Sequence, residues 1–131
     1  MRRMLVFGLI GLMSLAAWAA QDLPEGPRSE QWKEVEEAMK KGLPKTAIEK
    51  LDPIIAAAQK DKDWAEAIRA VGLKIGLEGN IQGNKPEEKS TRMREAIEAS
   101  PKAMQPTMHA ILAHWYWHYF QPTRWRIAQP T

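Results

Sequence analysis

Residues 40–51 read KKGLPKTAIEKL, a run of good helix formers interrupted by a glycine and a proline. Glycine favours the position just past the end of a helix, and proline favours the first turn of the helix that follows. Gly42 therefore predicts the end of one helix, and Pro44 predicts the start of the next. Two helices joined by so short a turn pack against each other as an antiparallel pair. The segment thus indicates an all-α fold.

Helical spacing of apolar residues continues on both sides of this turn. The first helix carries Trp32, Val35 and Met39 after Ser29, which is a predicted N-cap. No segment alternates with period two, so no strand is predicted. Antiparallel pairs at spacings of roughly 30 to 40 residues predict a helical-repeat stack resembling tetratricopeptide arrays. About five helices are expected: residues 29–42, a second from Pro44 with a kink or break at Pro53, a third capped by Asp63, a fourth from Pro86 to about Ser100, and a fifth over residues 102–120.

The fifth predicted helix carries large apolar side chains on two opposite sides. Helical geometry at about 100° per residue gives one core-facing stripe, formed by Met104, Met108, Ile111, Leu112, Trp115 and Tyr119. The opposite side holds His109, Ala113, Tyr116, Trp117 and Phe120. A chain of this length offers a partner layer for the first side only. We therefore predict that Tyr116, Trp117 and Phe120 belong to an interface with another protein.

The segment after this helix, residues 121–131, is predicted to be a C-terminal tail, because Gln121 and Pro122 read as a helix break. It contains Arg124, Trp125 and Arg126, and two interpretations stay open. In one, Trp125 folds back onto the core. In the other, all three side chains extend the partner interface, since arginine and aromatic residues dominate binding hot spots.

The N-terminus predicts export. A basic start with Arg2 and Arg3 precedes the apolar run MLVFGLIGLMSL and then AAWAA, which is the pattern of a secretory signal peptide over residues 1–19. The alternative is a membrane anchor, but the apolar run is shorter than the roughly 20 residues of a spanning helix. Residues 20–28, with two prolines and a glycine, are predicted to be a flexible lead to a helical domain over residues 29–120. A periplasmic or extracellular protein without a stable membrane anchor is therefore expected.

Composition narrows the classes of function. Without the signal peptide, 17 basic residues face 16 acidic ones, so electrostatics gives no support for a nucleic-acid partner. The sequence has no cysteine, which excludes disulfides, thiolate metal sites and a cysteine nucleophile within these residues. The glycine-rich segment GLEGNIQGNK lacks the spacing of a phosphate-binding loop and follows no strand. No cofactor and no catalytic residue is predicted.

Two histidines present a possible metal pair. His114 and His118 are four residues apart on one helix, the spacing that two zinc ligands need. The segment HWYWH lacks the glutamate of the zinc-protease motif, and no third ligand is evident. Structural or partly exposed histidines beside a core stripe are therefore favoured over a metal-dependent enzyme.

Three segments together resemble a known family: WKEVEEAMKKGLPKTAIEKLDPI from Trp32, DWAEAIRA from Asp63, and LAHWYWHYFQPTRWRIAQPT from Leu112. They are similar to the helical region that follows the signal peptide in bacterial alpha-2-macroglobulin-like extracellular proteins, although QPT stands here where that family usually has QRT. Those proteins are protease traps built from a long series of β-domains, with a cysteine-containing thioester far downstream. The resemblance implies a non-catalytic helical leader whose C-terminal aromatics pack against the domains that follow. It transfers no trap chemistry to any residue here.

Two functions of different scope follow from these patterns. The first is an exported helical interaction module that resembles the leader of a macroglobulin-like protease inhibitor and would be a fragment of such a protein. Its partner would be the β-domains of that inhibitor or another envelope protein. The second is a freestanding periplasmic helical-repeat adaptor that binds a protein or peptide.

Overall fold

The computed structural model describes the backbone of residues 26–127 and the side chains of residues 26–121. Within these residues the protein is all-helical, with five helices and no strand, as the sequence predicts. The predicted signal peptide, most of the predicted lead and residues 128–131 lie outside the described residues. The helices are α1 (Ser29–Lys40), α2 (Pro44–Lys60), α3 (Trp64–Ile81), α4 (Pro86–Ala99) and α5 (Gln105–Ile127).

The turn between α1 and α2 has the predicted form. Gly42 has a φ of 69°, the left-handed conformation that favours glycine, and Pro44 is the first residue of α2. The amide of Leu43 donates to the carbonyl of Ala38 at 2.9 Å, which satisfies a carbonyl at the end of α1. The prediction of a helix end at Gly42 and a helix start at Pro44 is confirmed.

The turn between α2 and α3 repeats this geometry without a glycine. Lys62 has a φ of 59°, and the amide of Asp63 donates to the carbonyl of Ala58 at 2.8 Å. The Asp63 carboxylate then caps α3 by accepting from the amide of Glu66 at 3.1 Å, so the predicted cap is confirmed. Two successive turns are therefore built on the same hydrogen-bond pattern.

The core consists of two clusters of buried side chains. Extensive contacts join each helix to the next along the chain, from α1 and α2 to α4 and α5. The first cluster lies among α1, α2 and α3: Trp32, Val35, Ala38, Ala47, Leu51, Ile54, Ala70 and Leu77. The second spans α2 to α5: Ala58, Ala67, Ile68, Val71, Ile75, Met93, Ile97, Met104, Met108 and Leu112. Whether the helices form antiparallel pairs in a repeat stack stays a prediction.

Several local predictions are wrong. Met39 is exposed, and Ala38 takes the buried position in α1. Ser29 is the first helical residue and makes no side-chain cap, since the N-cap position belongs to Arg28. The helix α2 continues from Pro44 to Lys60 through Pro53, so the predicted break there is wrong, while the predicted kink stays a prediction.

The start of the helical domain also differs from the prediction. Arg28, assigned to the flexible lead, is buried, and its guanidinium contacts acidic residues at the turn between α2 and α3. The C-terminal boundary of the helical domain also differs from the prediction. α5 continues past Gln121 and Pro122 to Ile127, so the predicted helix break at these residues is wrong. None of the described helices is both long enough and apolar enough to cross a lipid bilayer.

Candidate interaction surface

The helix α5 is buried on one side and exposes aromatic residues on another. Met108 is fully buried, as is Met104 just before the helix, and Leu112 is nearly so. Tyr116, Trp117 and Phe120 have exposed fractions of 43%, 60% and 49%, and we call these three residues the α5 aromatic surface. No described residue encloses them, although aromatic side chains gain free energy when they leave water.

The α5 aromatic surface has the size of a functional patch. Aromatic side chains bury about 150 to 250 Å² each, so the exposed fractions leave on the order of 300 Å² in water. The largest apolar patch on a typical monomer is of this size and is often functional. The sequence prediction placed these three residues in a partner interface, and their shared exposure is compatible with that prediction.

The other predicted interface residues follow on the same helix. Arg124, Trp125 and Arg126 belong to the last turns of α5, so they are not part of a tail after a helix break. Their side chains lie outside the described residues, and both interpretations of this segment stay predictions. Phe120 and Arg124 are four residues apart, which puts their Cα atoms on the same side of the helix.

Tyr119 does not occupy the core position that its helical spacing predicts. Its side chain is 39% exposed, and its hydroxyl donates to Oε1 of Glu87 at 2.6 Å. This hydrogen bond, above all other influences, lowers the pKa of the Glu87 carboxyl below its ordinary value. The contact joins α5 to the first turn of α4 across 32 residues of sequence.

A pocket of about 330 Å³ lies beside this contact, between the start of α4 and the second half of α5. We call it the α4–α5 pocket. The Lys89 ammonium lies 4.3 Å from the centre of the Trp115 ring, a cation–π contact. No carboxylate is among the residues that line it: Asn84, Pro86, Lys89, Ser90, Trp115, His118 and Tyr119.

A second concavity lies among α2, α3 and α4. This cleft of about 480 Å³ has an apolar floor that includes Ile55, Val71 and Ile75. Two ion pairs stand on its walls, Lys74 with Asp52 at 2.5 Å and Arg92 with Glu78 at 2.9 Å. The charges within each pair offset each other, and Glu95, which also lines the cleft, adds one negative charge.

The buried Arg28 forms the densest charged cluster in the described residues. Its Nε donates to Oε2 of Glu66 at 2.6 Å, and a terminal nitrogen donates to Oδ2 of Asp61 at 2.6 Å. The Trp32 indole donates to the other oxygen of Glu66 at 2.7 Å. These hydrogen bonds, first the one to Glu66, raise the pKa of Arg28 above its usual range. Every member has a partner, so the cluster is structural.

The predicted histidine pair has a simple geometry. The rings of His114 and His118 meet edge to face, with centroids 4.3 Å apart, and both residues are exposed. Among the described side chains, no group of three or more potential ligands could hold a metal ion. The absence of a cofactor stays a prediction.

The sequence analysis missed the α4–α5 pocket, because α4 reads as a polar edge helix. One signal was present. Ser90 lies three residues before Met93 and seven before Ile97, so helical spacing puts its hydroxyl on the buried side of α4. A polar residue in an apolar stripe indicates either an internal hydrogen bond or a site that faces a ligand.

Comparison with known proteins identifies no relative: no protein-family model, no curated protein and no solved structure matches this chain. The resemblance to macroglobulin-like proteins and the export of the chain therefore stay predictions, and functional inference depends on the site geometry.

Proposed function

We propose that this protein is an exported, non-catalytic helical module that binds another protein through the α5 aromatic surface. The observation that supports this proposal is the joint exposure of Tyr116, Trp117 and Phe120 on one helix. Interface cores are enriched in tyrosine, tryptophan and phenylalanine, and such residues supply most of the binding free energy. Arg124, Trp125 and Arg126 extend the interface along α5 in this proposal.

The proposed module is a stack of antiparallel helix pairs resembling tetratricopeptide arrays. Contacts between consecutive helices support this arrangement, because helical repeats bury their apolar sides mainly against their neighbours. The repeated hydrogen-bond pattern of the first two turns supports it too.

The proposed partner is a set of macroglobulin-like β-domains, with the chain acting as the helical leader of a protease inhibitor. The support is the resemblance of the KGLPKTAIE and aromatic RWR segments to such leaders. Another envelope protein is the wider alternative.

Site-specific photocrosslinking in cells that carry the natural gene tests this proposal. A benzophenone amino acid replaces Trp117, and a control protein carries it at Lys33, which is exposed on α1. We expect a defined crosslinked protein from position 117 that is absent from position 33. A product that contains β-domains supports the macroglobulin assignment, and a different envelope protein overturns that assignment while supporting the interaction module.

The captured protein is then purified and its affinity measured. Replacing Trp117 with serine is expected to weaken binding by about tenfold or more, as for a typical hot-spot residue, with unchanged helicity. The matched variant Lys33→Ser is expected to change the affinity by less than about twofold. Loss of helicity in Trp117→Ser would instead assign Trp117 to the core and refute the proposed interface.

The alternative function is a freestanding periplasmic adaptor that binds a peptide. The cleft among α2, α3 and α4 favours it, because an apolar floor between polar walls is suited to an extended segment. The reading frame that follows the codon for Thr131 separates the alternatives. Continuation into β-domains supports the leader, whereas a stop codon with no such frame nearby supports the adaptor.

A further inference from the structure

We propose that the α4–α5 pocket binds a carboxylate, supplied by an acidic side chain of the protein that covers the α5 aromatic surface. This inference rests on the proposed function, and it adds a polar specificity site next to an apolar one. The partner segment would combine an aspartate or glutamate with neighbouring aromatic or aliphatic side chains.

The charge of the pocket favours an anion. Lys89 forms no ion pair with any described residue, and no carboxylate lines the pocket. The acids nearby on α4 already have partners: Glu88 accepts from Lys85 at 3.1 Å, and Glu87 accepts from Tyr119 at 2.6 Å. The Lys89 ammonium is therefore available to an anion, and the positive end of the α4 dipole adds to its attraction.

The position of this ammonium also favours a bound anion. The Trp115 ring, 4.3 Å away, attracts the ammonium at the pocket wall through the ring's negative face. A lysine side chain that is already restrained loses less conformational entropy when it binds a ligand. The ring does not replace a carboxylate, because hydrogen bonds between charged groups are stronger than an exposed cation–π contact.

A serine hydroxyl favours the same ligand independently of charge. Ser90 lines the same pocket and is only 6% exposed, yet its hydroxyl makes no side-chain hydrogen bond within the described residues. No buried side-chain nitrogen or oxygen of the described residues lacks a hydrogen-bond partner, so the Ser90 hydroxyl, which has none, is open to the pocket and can donate to a ligand there. A carboxylate has two oxygens, one for the Lys89 ammonium and one for the Ser90 hydroxyl.

The location of the pocket on α5 favours a protein as the source of the carboxylate. Trp115, His118 and Tyr119 line it, whereas Tyr116, Trp117 and Phe120 form the α5 aromatic surface. The six residues span about 8 Å along the helix axis, at 1.5 Å per residue. The two sets lie on opposite sides of α5, so a partner that contacts both passes around a helix whose diameter with side chains is about 10 to 12 Å. An extended segment of about ten residues, at about 3.3 Å each, is long enough for this path. A protein partner can contact both sides of α5, whereas a free small anion gains nothing from the aromatic surface.

Selection from a library of random twelve-residue peptides displayed on phage tests the inference. Wild-type protein is the bait, after depletion against the double variant Lys89→Gln with Trp117→Ser. The enriched peptides are expected to share an aspartate or glutamate beside aromatic or aliphatic residues. The strongest peptide is then synthesised with a fluorophore, and its dissociation constant is measured by fluorescence anisotropy.

Five protein variants, with Trp117→Ser among them, and one peptide variant decide the result. Lys89→Gln is expected to weaken binding about tenfold or more, and Lys89→Arg should stay within about threefold of wild type. Lys85→Gln is the matched control, because it removes the same charge from the same end of α4 but outside the pocket. Ser90→Ala should weaken peptide binding a few-fold. Replacing the acid of the peptide with its amide should weaken binding to wild type and leave binding to Lys89→Gln unchanged.

Several outcomes overturn the inference. The first is a set of enriched peptides without an acidic residue. The second is an equal loss of peptide affinity in Lys89→Gln and Lys85→Gln. The third is a loss of affinity on replacing the peptide's acid with its amide that is the same for wild type and for Lys89→Gln. A library that yields no binder has the same consequence. If Trp117→Ser weakens binding and Lys89→Gln does not, the pocket is refuted and the α5 aromatic surface stands. The opposite pattern refutes the aromatic surface and retains the pocket.

Discussion

Replacing Arg28 with methionine is expected to lower the free energy of unfolding more than removing any other charged side chain of an ion pair. The side chain is 7% exposed and is hydrogen-bonded to Glu66, which is itself only 12% exposed, and to Asp61. Asp63 adds a longer ion pair at 3.8 Å. Methionine keeps much of the aliphatic volume, so the substitution removes mainly the guanidinium and leaves three carboxylates close together.

The magnitude follows from the exposure of each partner. Truncating one member of a fully buried ion pair costs about 3 to 5 kcal/mol, whereas pairs in water contribute about 0 to 1 kcal/mol. Glu66 belongs to the first class, but Asp61 and Asp63 are 56% and 48% exposed and are screened by solvent. We therefore expect a loss of about 2 to 3 kcal/mol in the free energy of unfolding. For a domain of this size the midpoint of thermal unfolding would fall by roughly 10 °C.

The assay is urea unfolding followed by tryptophan fluorescence and circular dichroism. Trp32 is a useful reporter, because its indole donates to Glu66 at 2.7 Å and therefore senses the same cluster. Arg94→Met is the matched control, since Arg94 is exposed and its guanidinium donates to the Thr91 hydroxyl at 3.1 Å. Its loss should stay within about 0.5 kcal/mol. Equal stability of the two variants would refute the claim that Arg28 fastens α1 to the turn between α2 and α3.

Three further predictions concern a helix interior, a pH dependence and a metal. Gly76→Ala should raise the free energy of unfolding by about 0.5 to 1 kcal/mol in urea, because a Cβ there meets no atom within 4 Å; a loss would contradict the open space described around it. Tyr119→Phe should lower the urea midpoint at neutral pH. Because the pKa of Glu87 is lowered in the folded state, this difference should disappear as the pH falls through that lowered pKa, as followed by urea unfolding at a series of decreasing acidic pH values; a difference that persists in the most acidic solution would argue against the hydrogen bond as its cause. Elemental analysis of purified protein should find no stoichiometric zinc, and zinc that is lost on replacing His114 or His118 would establish the metal site instead.

The parts of the fold that depend on residues close together in the sequence were predictable. Gly42, Pro44 and Asp63 mark helix ends through conformational preferences and one-turn hydrogen bonds, which need no knowledge of the rest of the chain. The exposed aromatic residues of α5 were also predictable, since helical spacing separates them from the buried methionines.

The contacts that were missed join distant residues. Arg28 reaches Glu66 across 38 residues, and Tyr119 reaches Glu87 across 32. Local pattern assigned the first to a flexible lead and the second to the core, because neither partner can be found without the arrangement of the helices. The α4–α5 pocket was missed for the same reason, since Lys89 and Trp115 come together only when α4 and α5 pack.

The position of α5 at one end of the described helices has a thermodynamic consequence. Its extensive contact is with α4, so its second half can detach without disturbing α1, α2 or α3. Amide hydrogens there should exchange with deuterium sooner than those of α3, whose neighbours lie on both sides. A partner that binds only the docked form of α5 would slow this exchange and raise the apparent stability in proportion to the logarithm of its concentration. The fraction of protein with bound partner could then be followed from the amide hydrogen exchange of α5 alone.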